Sequence, residues 1–289
     1  MELLNRVVFS GFADEISPEL STQLRVLNKL KIDYMEMRGV DGKGVDKLEK
    51  DEVAVVRRKL ADAAVRVSAI GSPIGKIGVH DDFKPHFETF KRVVETAQTL
   101  SCRYIRMFSF YIPTDENPAD CRGEVMSRLH KLSEYAKSQD VVLLHENEKG
   151  IYGNNAERCL DIMKELYSDH FGCTFDFANF VQCDQDTMEA YEMLRSYINY
   201  VHVKDAVFAD GHVVLPGTGD GRLADIFRLL ERDGYSGFFS MEPHLTDFNG
   251  FRALERSDDK KAASPKAETA QGESAFTAAY LCARGLLSR

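Results

Sequence analysis

Four residues of metal-ligand type stand at the ends of short apolar runs. Glu146 closes VVLLHE, Asp176 closes CTFD, His202 sits in YVHVKD and Glu242 closes FFSME. A run of Val, Leu and Phe does not ordinarily end by burying a carboxylate. An unpaired buried ion costs several kcal/mol, about what a whole domain has to spare. Three carboxylates converging on one place would repel one another, and a divalent cation resolves that conflict. Three oxygen ligands and one imidazole suit Mn2+, Mg2+ or Co2+ better than a structural zinc. Singly, each residue also reads as a helix cap, an ion-pair partner or a solvated loop acid. Four of them on successive strand candidates read as a ligand set. The expected cofactor is one divalent metal ion, Mn2+ first, with Mg2+, Co2+ or Zn2+ as alternatives.

Such a set suits proton abstraction beside a carbonyl. A cation bridging the carbonyl and a neighbouring hydroxyl stabilises the enediolate, and two carboxylates act as base and acid. Glu146 and Glu242 are the natural pair. Returning the proton to carbon gives an isomerase or epimerase; expelling water gives a dehydratase, and this pattern does not separate them. Other polar residues share the inward parity. Glu148 fits a substrate hydroxyl or a loop acid. Lys204 fits a carbonyl or anionic group, or a plain ion pair. Arg106 in YIRMF and Glu36 in YMEM fit substrate polar groups or charge pairing in the core. His145 has outward parity, His244 fits a surface loop first and a hydrogen bond to the site second, Asp14 reads as rim polarity and Ser17 as a helix cap. LPGTGDG, residues 215–221, lacks the Lys-Ser/Thr of a nucleotide loop.

The elements that position these groups alternate. Strand candidates are Val7–Phe12, Asp33–Arg38, Val65–Gly71, Tyr104–Phe110, Val141–Glu146, Cys173–Asp176, Ile198–Val203 and Phe238–Glu242. Helical patterns follow at Ser17–Leu30, Asp51–Ala64, Phe83–Leu100, Ala119–Ser138, Ala156–Tyr167, Thr187–Ser196, Leu223–Asp233 and Ala275–Leu287. Eight such units and no G-x-G-x-x-G after the first strand favour a closed (β/α)8 TIM barrel over an open doubly wound sheet. Its catalytic groups would collect at the C-terminal strand ends. The 289 residues read as one barrel domain, residues 1–289, with a flexible insertion at 256–273 before the last helix.

Forty-six acidic against 37 basic residues give a net charge of -9, which disfavours nucleic acid. No apolar run approaches the roughly 20 residues of a membrane helix. The six cysteines form no C-x-x-C pair and read as reduced thiols of a cytoplasmic protein. The expected partner is a small molecule, with no nucleic acid or membrane and a homo-oligomer left open.

HENEKGIYG, FDFANF, YVHVKD, LPGTGDG and SMEPHL together resemble the xylose-isomerase-like barrel superfamily of sugar and sugar-phosphate isomerases and epimerases. The resemblance runs from FADEIS to SMEPHL and implies one divalent metal held by Glu146, Asp176, His202 and Glu242. It also implies a small sugar-like substrate and the acid–base pair Glu146 and Glu242, and makes the glycine-rich stretch an active-site rim. Many members carry His where this chain has Asn179, and E-N-H where it has Glu146-Asn147-Glu148. Those are substrate-pocket positions. An inosose-type dehydratase is the runner-up. A DNA-repair endonuclease of the same superfamily would need a multi-zinc cluster, and only one of the eight histidines ends a strand. A non-catalytic sugar-binding barrel would have no use for repelling carboxylates.

Overall fold

The structure is a computed structural model that describes residues 2–246 and 269–288, with side chains described to 246 and from 271. Eight strands run β1 (Val8–Gly11), β2 (Tyr34–Met37), β3 (Arg66–Gly71), β4 (Tyr104–Met107), β5 (Val142–Glu146), β6 (Phe171–Asp176), β7 (Ile198–Val203) and β8 (Phe238–Met241). All pair in parallel, in the order β1-β8-β7-β6-β5-β4-β3-β2. A parallel bridge between Phe12 and Glu36 links the two end strands. The result is the nearly closed barrel that the eight-unit rhythm predicts.

Helices α1 (Leu20–Leu30), α2 (Lys50–Asp62), α3 (Phe83–Thr99), α4 (Pro118–Ser138), α5 (Ala156–Leu166), α6 (Thr187–Leu194), α7 (Leu223–Arg232) and α8 (Thr269–Leu287) surround the strands. Side-chain caps fix several starts: Asp82, Asn117, Asn155 and Asp186 each accept a backbone N–H of the following first turn. Ser17 does not cap α1; Glu19 holds that position, and the Ser17 hydroxyl accepts the Glu19 N–H outside the helix. The 256–273 expectation falls outside the described residues up to 268. From Thr269 onward the chain is helix, not loop. Glu273 bridges Arg25 and Lys29 of α1 at 2.8 Å each. Gly272 lies so close to the backbone that an added Cβ would sit 2.5 Å from the Ile16 oxygen. Tertiary contact starts this helix where apolar spacing gives no signal. Among the described residues no helix is long and apolar enough to cross a membrane.

Inside the barrel, alternate residues stack in layers. Tyr34, Tyr104, Tyr200 and Phe238 close the floor with ring contacts of 5.0–6.4 Å. Above them Ser68 joins Ser10 at 2.5 Å and the Tyr200 hydroxyl at 2.8 Å. The parallel register then sets Ser10, Ser240, His202 and Asp176 side by side. A packed floor and a fixed register leave the charged residues one exit, the C-terminal mouth.

Candidate active site

Glu146, Asp176, His202 and Glu242 come together there. All four are buried, and one ligand atom from each lies within 4.8 Å of the others. His202 turns Nδ1 toward the carboxylates, 3.1 Å from Glu146 Oε1, 3.4 Å from Glu242 Oε2 and 3.8 Å from Asp176 Oδ2. Its Nε2 points the other way and meets Glu36 Oε2 at 3.1 Å. Ser240 donates to the same Glu36 oxygen at 2.7 Å. A histidine clamped by a carboxylate on one nitrogen presents the other as a ligand. Lys204 lies 3.0 Å from Asp176 Oδ2 and 3.2 Å from Glu242 Oε2.

The donor set fits a hard divalent ion. Glu146 Oε2 and Asp176 Oδ2 are buried without a hydrogen-bond partner. Arg106 Nε is 3.1 Å from the first and Lys204 Nζ 3.0 Å from the second, near enough for ion pairs but not aligned as hydrogen bonds. Buried oxygens without an aligned donor are what a cation would satisfy. The electrostatics are unsettled in the same way. Burial, with Glu242 and Glu146 against a lowering Lys204, pushes Asp176 up to about 7. Burial also opposes the charge on Glu242, but Lys204, His244 and His202 outweigh it and hold that carboxyl well below its usual range. For His202, burial is overcome by Glu36 and Glu146, and the imidazole stays protonated well above its ordinary pKa.

A second charged group abuts the first. Arg38 binds Asp14 through Nε (2.9 Å) and Nη2 (3.1 Å), Glu15 Oε1 at 3.1 Å and Glu242 Oε1 at 2.9 Å. Its guanidinium lies 4.2 Å above the Phe12 ring. His244, with φ of 47° in the left-handed region, brings Nε2 to 3.2 Å from Glu242 Oε1. Its backbone N–H donates to Glu15 at 2.7 Å. Burial brings the His244 pKa down to about 4. His244 is thus no surface-loop residue, and Asp14 is a buried anchor for Arg38, not rim polarity.

The substrate candidates divide. Arg106, Glu148, Asn179 and Lys204 line the mouth cavity with Glu146, Glu242, Lys76, Phe108 and His244. Glu36 does not; fully buried behind His202, it pairs with the imidazole, which is the core charge pairing of its second reading and not the substrate contact of its first. Glu148 pairs with Lys76 at 3.1 Å. Asn179 donates to Glu146 Oε1 at 3.1 Å and to the Asn147 carbonyl at 2.9 Å, so it fixes a carboxylate as well as facing the cavity. His145 is buried as its parity implies, with Nε2 2.9 Å from Ser109 Oγ. The glycine-rich stretch wraps an anion of the chain's own. Asp205 accepts the N–H groups of Gly217, Gly219 and Gly221 at 2.8–3.0 Å. A Cβ on Gly219 would stand 2.4 Å from the Ala206 oxygen. Arg38 and Lys76 were missed, whereas the hydrogen bond from His244 to the site was the weaker of its two readings. Arg38 shares the inward parity of Glu36 and was legible; Lys76 lies on a loop, where parity is silent.

Comparison with known proteins agrees with this architecture. The chain is 25% identical over 162 residues to the uncharacterized protein MJ1311 of Methanocaldococcus jannaschii, covering 54% of this chain and 55% of that protein, so it spans about half of that curated relative's length. The structure of D-psicose 3-epimerase with D-tagatose from Clostridium cellulolyticum H10 superposes with TM-score 0.74 at 14% identity, covering 97% of this chain and 99% of the other. The IOLI protein with a binding zinc atom superposes with TM-score 0.73 at 18% identity, covering 98% of each chain. The family model for the xylose isomerase-like TIM barrel matches residues 24–269, and the chain belongs to that family.

Proposed function

We propose that this chain is a divalent-metal-dependent isomerase or epimerase of a ketose or related polyol ketone. The observation that carries the reading is the convergence of Glu146, Asp176, His202 and Glu242 within 4.8 Å at the barrel mouth, two of them lining the cavity. The fold shared with a sugar 3-epimerase and with a zinc-binding barrel supports it. A cation held by the four would supply Lewis-acid stabilisation of the enediolate left when a proton departs the carbon beside a carbonyl.

The chain's own groups do the rest. One of Glu146 and Glu242 takes the proton from carbon while the C–H electron pair forms the new C=C bond and the C=O π pair moves onto oxygen. The other returns a proton to carbon, on the opposite face for epimerisation. Asn179 steadies Glu146, and Arg38 and Lys204 each hold one oxygen of Glu242. Arg106, 3.1 Å from Glu146, places a positive charge beside the cavity where oxyanion charge develops.

A screen of ketoses and inososes in deuterated water tests the reading. The expected result is a metal-dependent isomer or epimer carrying deuterium at the reacting carbon. Loss of water to an enone would move the assignment to a dehydratase. Glu242→Gln keeps the shape and one coordinating oxygen but cannot accept a proton near neutrality. Its turnover should fall by about 10²–10⁴-fold with the metal still bound, and Glu146→Gln should match it. Near wild-type turnover by metal-loaded Glu242→Gln would remove Glu242 from proton transfer.

A further inference from the structure

Away from the barrel mouth, three side chains of different ligand type meet with no role in the chemistry above. His80 belongs to the loop between β3 and α3; Glu116 precedes the Asn117 cap of α4, and Cys121 stands in that helix's second turn. We propose that His80, Glu116 and Cys121 form a second cation site, for a thiophilic divalent metal of the zinc or cadmium kind, independent of the oxygen-rich cluster.

The geometry is already close to what such an ion needs. His80 Nε2 lies 2.9 Å from both oxygens of Glu116, and Cys121 Sγ donates to Glu116 Oε2 at 3.2 Å. All three ligand atoms fall within 4.8 Å of one another. In a tetrahedral zinc site, bonds of about 2.0–2.3 Å put neighbouring ligands roughly 3.3–3.6 Å apart. The three groups therefore need to shift by less than about 1 Å to seat an ion. One nitrogen, one oxygen and one sulfur leave a fourth position for water, as in an open zinc site. The thiolate is the discriminating donor, since soft sulfur selects zinc-like ions over Mn2+ or Mg2+. Cys121 is 4% exposed, whereas the His80 side chain is 61% exposed, so an ion can enter from the solvent side and reach a thiol shielded behind it.

The site would act on the mouth through the loop. Residues 76–81 share a surface cleft with Tyr111 and Pro113, and Gly78 bridges Tyr111. Lys76, on the same loop, reaches the mouth cavity and pairs with Glu148. An ion held by His80, Glu116 and Cys121 would tie this loop to α4 beside the hydrogen bonds that Arg128 of that helix donates to the Gly78 and Asp81 carbonyls, fixing the segment that carries Lys76.

The test is titration of the full chain with Cd2+, read by the ultraviolet thiolate-to-cadmium charge-transfer band. The barrel cluster contains no sulfur and is silent in this band, so failure here and failure of the mouth site are separable. The wild type should show about one equivalent with the band. Cys121→Ser should abolish it, and His80→Ala and Glu116→Gln should each weaken Cd2+ binding at least tenfold. Zn2+ should compete for the site and slow alkylation of Cys121. His80→Ala removes an exposed side chain and so keeps the test valid if Cys121→Ser folds poorly. A band that persists in Cys121→Ser would overturn the proposal. So would an unchanged affinity in His80→Ala, because the thiol would then be binding the ion alone.

Discussion

The two sides of the barrel mouth face the same physical problem and compensate it differently. On the β1–β2 side, Asp14, Glu15 and one oxygen of Glu242 surround Arg38, a cation built into the chain and unable to lose its proton. On the β5–β8 side, Glu146, Asp176 and the other oxygen of Glu242 surround Lys204 and His202. Those charges can move or titrate, and two carboxylate oxygens there have no aligned donor. Glu242 belongs to both sides: Arg38 fixes Oε1, and Oε2 is shared by Lys204 and His202. A guanidinium gives a permanent wall, whereas an ammonium and an imidazole leave room for a metal ion to take over. The Arg38 guanidinium already sits among Glu15, Glu242 and His244, the other carboxylate–histidine group near the mouth among the described residues.

Breaking each side separately should expose the difference. Arg38→Met leaves three buried carboxylates short of their partner and should cost about 3–5 kcal/mol of unfolding free energy, with or without metal. Lys204→Met should cost a similar amount in EDTA but much less with saturating Mn2+, because the ion supplies the missing charge. Denaturant unfolding of both variants in the two conditions checks this. Equal rescue of both by Mn2+ would erase the distinction between a permanent and an exchangeable charge.

Glu36 offers a smaller effect on the exchangeable side alone. Its carboxylate accepts from Nε2 of His202, leaving Nδ1 for the cluster. Glu36→Gln keeps the volume and the Ser240 neighbour but loses the charge that holds the imidazole. Second-layer carboxylates of this kind contribute about 10–100-fold in metal affinity. Isothermal titration with Mn2+ should show a loss of that order, with turnover at saturating metal largely retained. An unchanged affinity would mean that packing alone orients His202.

Much of this was legible in the sequence because strand parity is rigid. Ile198–Val203 has its expected bounds, and most of the other strand and helix expectations lie within a few residues of the structure. The four ligand candidates follow from parity plus strand ends. The same rule carried one step further along YMEMR would have found Arg38, two residues beyond Glu36 on the same face. Parity says nothing about layer height, so it could not place Glu36 beneath His202 rather than beside a substrate. Nor could it predict that Asp205 would fill the glycine-rich loop, because that partnership depends on three backbone N–H groups folding back on the strand end. The early start of α8 escaped for a similar reason: Gly272 and Glu273 act by close backbone approach and by ion pairing, not by apolar periodicity.

The smallest predicted effect is also the one that sharpens the comparison most. Asp176 is raised to about 7, chiefly by burial, and Glu15 to about 8, again chiefly by burial and despite Arg38. A carboxyl raised on folding binds more protons folded than unfolded between its two pKa values, so stability falls as pH rises through that window. His202, raised by Glu36 and Glu146 against burial, contributes stability below its unfolded pKa of about 6.5 that is lost as pH climbs through its folded value. The depressed Glu242 acts oppositely below about pH 4, and the depressed His244, His86 and His145 act oppositely up to about pH 6.5. In EDTA the melting temperature should therefore drop chiefly between about pH 6.5 and 8.5, where those histidines no longer oppose the fall. A divalent ion must displace protons from Asp176 and His202, so its stabilisation should grow over the same range. Saturating Mn2+ should flatten the slope without abolishing it, since Glu15 lies on the permanently compensated side. Thermal melts at pH 5.5, 7.0 and 8.5, with EDTA and with Mn2+, measure both slopes. A metal-induced gain that is the same at every pH would mean that these two residues are not the groups the ion deprotonates.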